Sequence, residues 1–336
     1  MKPSDFSKYL TDFLSKYLPH ERGASKNTII AYRDGFILFI IFMEQQKIKV
    51  DKLTLEKITK EKVVEFLDWL EHERNCSTST RNARLAAIHS FFQYVQYQHP
   101  ENLYEYQKIL SIRMKKGEKA SINYLSIDGI KLLLQQPDVT TKKGRRNLAL
   151  LSLMYDTGSR VQELIDLTPC MIRLDKPSTI RITGKGKKMR IIPMLEEQVN
   201  LLKNYMGEHK LLEPYAGIYP LFCNNRSEKL TRAGVNYILL KYAAKARLKD
   251  SKLIPEKISC HSLRHSKAMH LLEAAVNLIY IRDSLGHVSV TTTEIYARAD
   301  SVKKREAIEK AYTEVSPTTN PKWLANENLL EWLKGF

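Results

Sequence analysis

Long apolar runs are missing from this chain of 336 residues. Its most apolar stretch, Gly35 to Met43, falls well short of the roughly 18 residues that would suggest a membrane span. The opening Met-Lys-Pro-Ser-Asp-Phe has no apolar signal-peptide core, so a cytoplasmic protein without membrane contact is expected. Cysteine is scarce. Cys76, Cys170, Cys223 and Cys260 are widely scattered and form no CxxC pair, which argues against a zinc ribbon or a disulfide framework. No GxxxxGK[ST] stretch occurs, so the P-loop pattern is excluded. A carboxylate cluster fit for catalytic metal ions, an internal repeat and a low-complexity tract are all absent as well.

What is present in excess is positive charge. The formal net charge is +17, with hydrophobic and charged fractions of 43% and 27% that suit a globular chain. Up to residue 115 there are 18 basic and 14 acidic side chains; beyond it there are 36 and 23. An excess of this kind favours nucleic acid, where Lys and Arg displace condensed counterions.

The length allows two domains. Four helical patterns fill the first hundred residues. Phe6, Leu10, Phe13, Leu14 and Tyr17 mark the first, and Ser25 to Lys47 the second, with Ser25 or Asn27 as its cap. Lys60 to Arg74 and the stretch after Ser77-Thr-Ser-Thr form the third and fourth, the last ending at His99-Pro100. Residues 1–110 therefore read as a helical domain. Residues 111–122 are polar, basic and aperiodic, and read as a flexible linker. A second domain over 123–312 is mainly helical. Within it Thr179–Thr183 and Lys188–Pro193 alternate like two strands about Gly184-Lys185-Gly186-Lys187. Further helices are expected over 126–136, 143–155, 160–167, 196–209, 231–248, 261–275, 278–285, 290–297 and 301–312. A tail, 313–336, carries Trp323, Leu324, Leu329, Leu330, Trp332 and Leu333. The fold class is mainly α with a small β-sheet.

One constellation carries chemistry. His261 and Arg264 stand three apart in His-Ser-Leu-Arg-His; His287 follows Arg264 by twenty-three residues, and Tyr296 follows His287 by nine. Upstream lie Arg160 in Thr-Gly-Ser-Arg and Lys185 in Gly-Lys-Gly. Two guanidinium groups, two imidazoles, an ammonium and a phenol suit a phosphodiester whose oxygens are held by arginine forks while a tyrosine attacks phosphorus. Singly, each residue has an ordinary reading: a surface ion pair for either arginine, a helix cap for His287, a generic phosphate loop for Lys185. His261 and His265 also form an HxxxH pair, a zinc pattern, but Ser262 stands where HExxH needs its glutamate. Glu163, one turn beyond Arg160, either orients that guanidinium or makes a plain surface pair.

In order and spacing, these six residues resemble the tyrosine recombinase (phage integrase) family. The resemblance implies an N-terminal helical core-binding (SAM-like) domain and an α+β catalytic domain. It assigns phosphate binding to Arg160 and Arg264, phosphate donation or proton transfer to His261, support of the phosphate or of the nucleophile to His287, attack to Tyr296, and the general acid to Lys185, with Lys187 as rival. It implies no cofactor. Two guanidiniums take the place of metal ions, and the covalent 3′-phosphotyrosine stores the bond energy for religation.

The partner implied is double-stranded DNA with paired recombination sites, bound by a tetramer that passes through a Holliday junction, with an accessory directionality protein as a further partner. Lys26, Thr28, Arg33, Arg81, Arg84, His89, Lys187 and Lys188 are the DNA-contact candidates. An integrase or transposase-like role in a mobile element is expected. Chromosome dimer resolution or inversion is the alternative, and a catalytically idle DNA-binding accessory protein the reading from another class. The tail docks either on its own domain or on a neighbouring protomer.

Overall fold

The computed structural model describes residues 4–117, 122–184, 186, 188–287, 289–299 and 329–335. Contacts divide the chain into two compact units, 1–120 and 121–336.

The first unit is helical. Its helices are α1 (Asp5–Asp12), α2 (Lys26–Gln45), α3 (Lys60–His72), α4 (Thr78–Gln98) and α5 (Leu103–Leu110). Ser4, Ser25, Thr59 and Ser77 each turn a side-chain oxygen onto a backbone N–H of the first turn, at α1, α2, α3 and α4, which supplies an acceptor for a donor that has no partner within the helix. The first apolar pattern spans two structures, because α1 widens at Phe13 into a π-helix, Phe13–Glu21, that contains Pro19. Phe6, Phe13, Phe36 and Phe91 meet edge-on or tilted at the centre of the unit, with centroids 5.2–6.4 Å apart, geometries that suit the quadrupoles of aromatic rings.

Two sequence expectations change here. Helix α5 was not anticipated; Tyr106 and Ile109 anchor it in the core, and Ile112 belongs to the same cluster. Nor does the start of the linker run free. Asn82 donates to the Lys115 carbonyl at 2.8 Å and accepts from the Lys115 N–H at 3.1 Å. The Lys115 ammonium also pairs with Glu71. Both bonds to Asn82 use backbone groups that every non-proline residue carries, so the polar side chains of 111–117 gave no sign of them.

The second unit holds α6 (Ile127–Leu134), α7 (Lys142–Thr157), α8 (Val161–Ile165), β1 (Ile172–Arg173), β2 (Thr179–Thr183), β3 (Met189–Pro193), α9 (Glu196–Glu208), α10 (Arg232–Lys249), α11 (Cys260–Glu273), α12 (Leu278–Leu285) and α13 (Thr291–Ala299). The sheet is antiparallel in the order β1-β2-β3, with Ile180 opposite Ile192 and Ile182 opposite Arg190. Ile180 and Ile182 face inward while Arg181 and Thr183 face out, the alternation of a half-buried strand. β1 was not expected, since two residues show no periodicity. Helix α7 is apolar on most sides and is buried against α9 and α11.

Two glycines terminate helices beside the site. Gly158 ends α7 and Gly286 ends α12, both with left-handed backbones at φ +54° and +67°. That conformation strains residues carrying a Cβ. The expected helix at 301–312 and most of the tail, including Trp323, Leu324 and the Trp332 side chain, lie outside the described residues. A short helix, Leu329–Lys334, is described, with Leu333 exposed. Among the described residues no helix is long and apolar enough to cross a membrane.

Candidate active site

The ends of α7, α8, α11, α12 and α13 converge with strand β3. Arg160 opens α8, as the sequence suggested, standing at its N-cap with an extended backbone. Its N–H donates to Glu163 Oε2 at 2.9 Å, and its Nη1 to Glu163 Oε1 at 2.8 Å. Arg190, from β3, donates to the same carboxylate through Nη2 at 2.7 Å and to the Ser284 carbonyl through Nε at 2.9 Å. Glu163 is only 6% exposed. Burial alone would raise its pKa, but the Arg190 hydrogen bond and charge, the Arg160 N–H and the Arg160 side-chain hydrogen bond outweigh that and hold it below the usual carboxylate range. It therefore stays ionised between two arginines and fixes both.

Arg264, on α11, is 3% exposed. Its Nη1 donates to the Gly158 carbonyl and its Nη2 to the Leu285 carbonyl, each at 2.7 Å. Both acceptors lie at helix C-termini, where the dipole favours a cation. Burial and the nearby Arg160 pull its pKa down to about 10, which leaves it charged at neutral pH. Each terminal nitrogen keeps a second N–H, and the two carbonyls set the plane of the fork.

Tyr296, on α13, is 1% exposed. Its hydroxyl shares a 2.9 Å hydrogen bond with His265 Nδ1, and its ring lies nearly parallel to that of His287, 13° apart in plane with centroids at 6.3 Å. Burial raises the phenol's pKa, with Arg264 and Arg160 pulling the other way. His287 shares a 2.9 Å hydrogen bond with the buried Thr293 through Nδ1. Burial, with Arg264 and Arg160 beside it, drives its pKa down to about 4, so it works as a neutral imidazole. His261 is half-buried, and burial with the same two arginines lowers its pKa too. The ring centroids of His261 and His265 are 6.3 Å apart. Among the described residues no group of three or more His, Cys, Asp or Glu side chains is placed to hold a metal ion.

A cleft of about 380 Å³ opens on this cluster, lined by Arg160, Gly184, Lys188, Arg190, Gly286 and His287 among others. The structure thus brings together Arg160, His261, Arg264, His287 and Tyr296, with Lys188 at the rim. Lys185 and Lys187 lie outside the described residues. Arg190 and the Tyr296 contact of His265 were missed. A signal for Arg190 existed: it lies two residues from the buried Ile192 on the same face of β3, so an arginine sits on the inward side of a strand.

The DNA-contact candidates of the first unit divide. Lys26 and Arg33 are exposed and Thr28 partly so. Arg81 is 5% exposed and paired with Glu71, Arg84 donates to the Ala31 carbonyl, and His89 is tied to the Ile109 carbonyl. Those three hold the helices of the unit together.

A buried phenol beside two clamped guanidiniums and a set of imidazoles is equipped to bind a phosphodiester and attack its phosphorus. The family model described as phage integrase family matches residues 123–302, and that of the phage integrase N-terminal SAM-like domain matches 10–99. The chain belongs to the phage integrase (tyrosine recombinase) family. It is 34% identical to the "Putative integrase/recombinase y4rC" of Sinorhizobium fredii, covering 100% of this chain and 99% of that one. It is 32% identical to the tyrosine recombinase XerD of Listeria monocytogenes, over 88% and 96% of the two chains. Among solved structures it resembles the XerH site-specific recombinase bound to difH substrate in a pre-cleavage complex, at 26% identity and a TM-score of 0.66, covering 89% and 84%.

Proposed function

We propose that this protein is a site-specific DNA recombinase in which Tyr296 attacks a phosphodiester held by Arg160 and Arg264. The observation that carries the reading is the meeting of Tyr296, Arg264, Arg160 and His287, from four separate segments, beside a basic cleft that Arg160 and His287 line. The phenol oxygen bonds to phosphorus, the 5′-oxygen leaves, and a 3′-phosphotyrosine remains. The two guanidiniums offset charge that builds on the non-bridging oxygens. With Thr293 as donor to His287 Nδ1, the Nε2–H of His287 is free to give to the same phosphate. Lys185, between β2 and β3 in sequence, protonates the leaving oxygen. Religation to a second strand reverses these steps and needs no external energy source.

Recombination requires two duplexes and four protomers, with strands exchanged in pairs through a Holliday junction. An accessory protein sets direction. Movement of a mobile element is the setting best matched by full-length likeness to an integrase/recombinase. The test is to incubate the protein with genomic DNA, denature, and sequence the strands left covalently attached. Recovered strands should map to the ends of one element. A single chromosomal locus outside any element would favour dimer resolution, and an absence of covalent DNA would refute the recombinase reading.

A further inference from the structure

Helix α11 brings His261, Arg264 and His265 to the site, and of the three the mechanism above uses only Arg264. We propose that His265 is the proton acceptor for Tyr296, orienting the phenol and taking its proton as the oxygen attacks phosphorus. The inference rests on Tyr296 being the nucleophile. Its ground is geometric: His265 Nδ1 stands 2.9 Å from the Tyr296 hydroxyl, within the reach a general base needs. With the phenol as donor, Nδ1 bears the lone pair and the ring proton sits on Nε2.

The other imidazoles are placed for different work. His287 lies parallel to the tyrosine ring with Nδ1 engaged by Thr293, and the His261 ring centroid lies 6.3 Å from that of His265. His265 faces His261 and Arg264 from its own helix, Tyr296 from α13 and His287 from the α12–α13 turn. Burial first, then His261 and Arg264, lowers its pKa, so at neutral pH it is unprotonated and able to accept.

The step balances. The Tyr296 O–H bond breaks and its proton moves to His265 Nδ1, while the phenol oxygen forms its bond to phosphorus. The P–O5′ bond breaks, and the departing oxygen takes a proton from the general acid. In religation the 5′-hydroxyl gives its proton back to the general acid as its oxygen bonds to phosphorus, and the displaced tyrosine oxygen recovers its proton from His265.

The test uses the full-length protein with a duplex carrying its own site, read by single-turnover formation of the covalent adduct. His265→Leu removes the acceptor. His265→Asn keeps a hydrogen-bonding oxygen near the place of Nδ1 but not the basicity. Both should slow cleavage by about 10²–10³-fold, the range expected of a lost general base, while DNA affinity stays within about threefold. Putting difluorotyrosine at position 296 makes the phenol more acidic. It should restore at least about tenfold to both variants and little to the parent protein, since a better acid needs less help to lose its proton. His265→Leu cleaving within about threefold of the parent, or faster, would overturn the proposal. So would a loss that the acidic phenol does not relieve, because His265 would then act only in folding. Absence of adduct from the unsubstituted protein would instead refute Tyr296 as nucleophile.

Discussion

Replacing Glu163 with glutamine removes one negative charge from between two arginines and changes little else in shape. The carboxylate accepts from the Arg160 N–H, Arg160 Nη1 and Arg190 Nη2 at 2.7–2.9 Å. An amide has one acceptor oxygen, so its NH₂ group must face at least one of these donors. Breaking a buried ion pair by removing one partner costs about 3–5 kcal/mol, and a glutamine that keeps part of the hydrogen bonding should cost about 2–4 kcal/mol. For a unit of this size that is a fall in Tm of about 4–16 °C. The pH dependence distinguishes charge from shape. Because Glu163 is held below its ordinary pKa of 4.5, its stabilisation is fully present above that value and is lost as pH falls through the lower, folded value. The gap between Glu163→Gln and the parent should therefore be wide at pH 7, persist to about pH 4.5, and close below it. Calorimetry across that range reads the effect. A variant within about 0.5 kcal/mol of the parent at pH 7, or a gap that survives full protonation of the carboxyl, would refute the account of Glu163 as the charged brace of Arg160 and Arg190.

Other substitutions probe the rest of the cleft. Arg264→Lys keeps a positive charge but cannot reach both the Gly158 and Leu285 carbonyls with a planar fork; single-turnover cleavage should fall by about 10²–10³-fold with DNA affinity little changed. Gly286→Ala combines φ +67° with a Cβ 2.8 Å from Arg190 Nη1, and should lower stability by about 1–3 kcal/mol in urea unfolding while loosening Arg190. Lys185→Ala should cripple cleavage of ordinary DNA yet act on a duplex whose leaving 5′-oxygen is replaced by sulfur, which departs without a proton. Sulfur rescue of Lys187→Ala instead would move the general acid by two residues.

The legible parts of this molecule are those written locally. Ser25 and Ser77 before apolar periodicity marked the starts of α2 and α4. The reactive residues were legible from type and spacing. Their connections were not. Nothing in the sequence around Arg190 says that Glu163, twenty-seven residues earlier, completes its pair, or that His265 meets Tyr296 across two helices. Arg81, Arg84 and His89 were DNA-contact candidates because the family resemblance lays their helix along DNA. Arginine stems pack well on apolar neighbours, however, and their heads need only a carboxylate or a carbonyl. Glu71 and the Ala31 carbonyl supply these for Arg81 and Arg84.

The central claim, that Tyr296 becomes covalently joined to DNA, is tested most directly with one oxygen. A duplex built from the strands recovered on the protein, nicked beside the cleavage point and labelled at the 5′ end of the cut strand, should give a slowly migrating protein–DNA band on a denaturing gel. Tyr296→Phe should bind the same duplex with unchanged affinity and give no such band. An adduct formed by the phenylalanine variant would contradict the account.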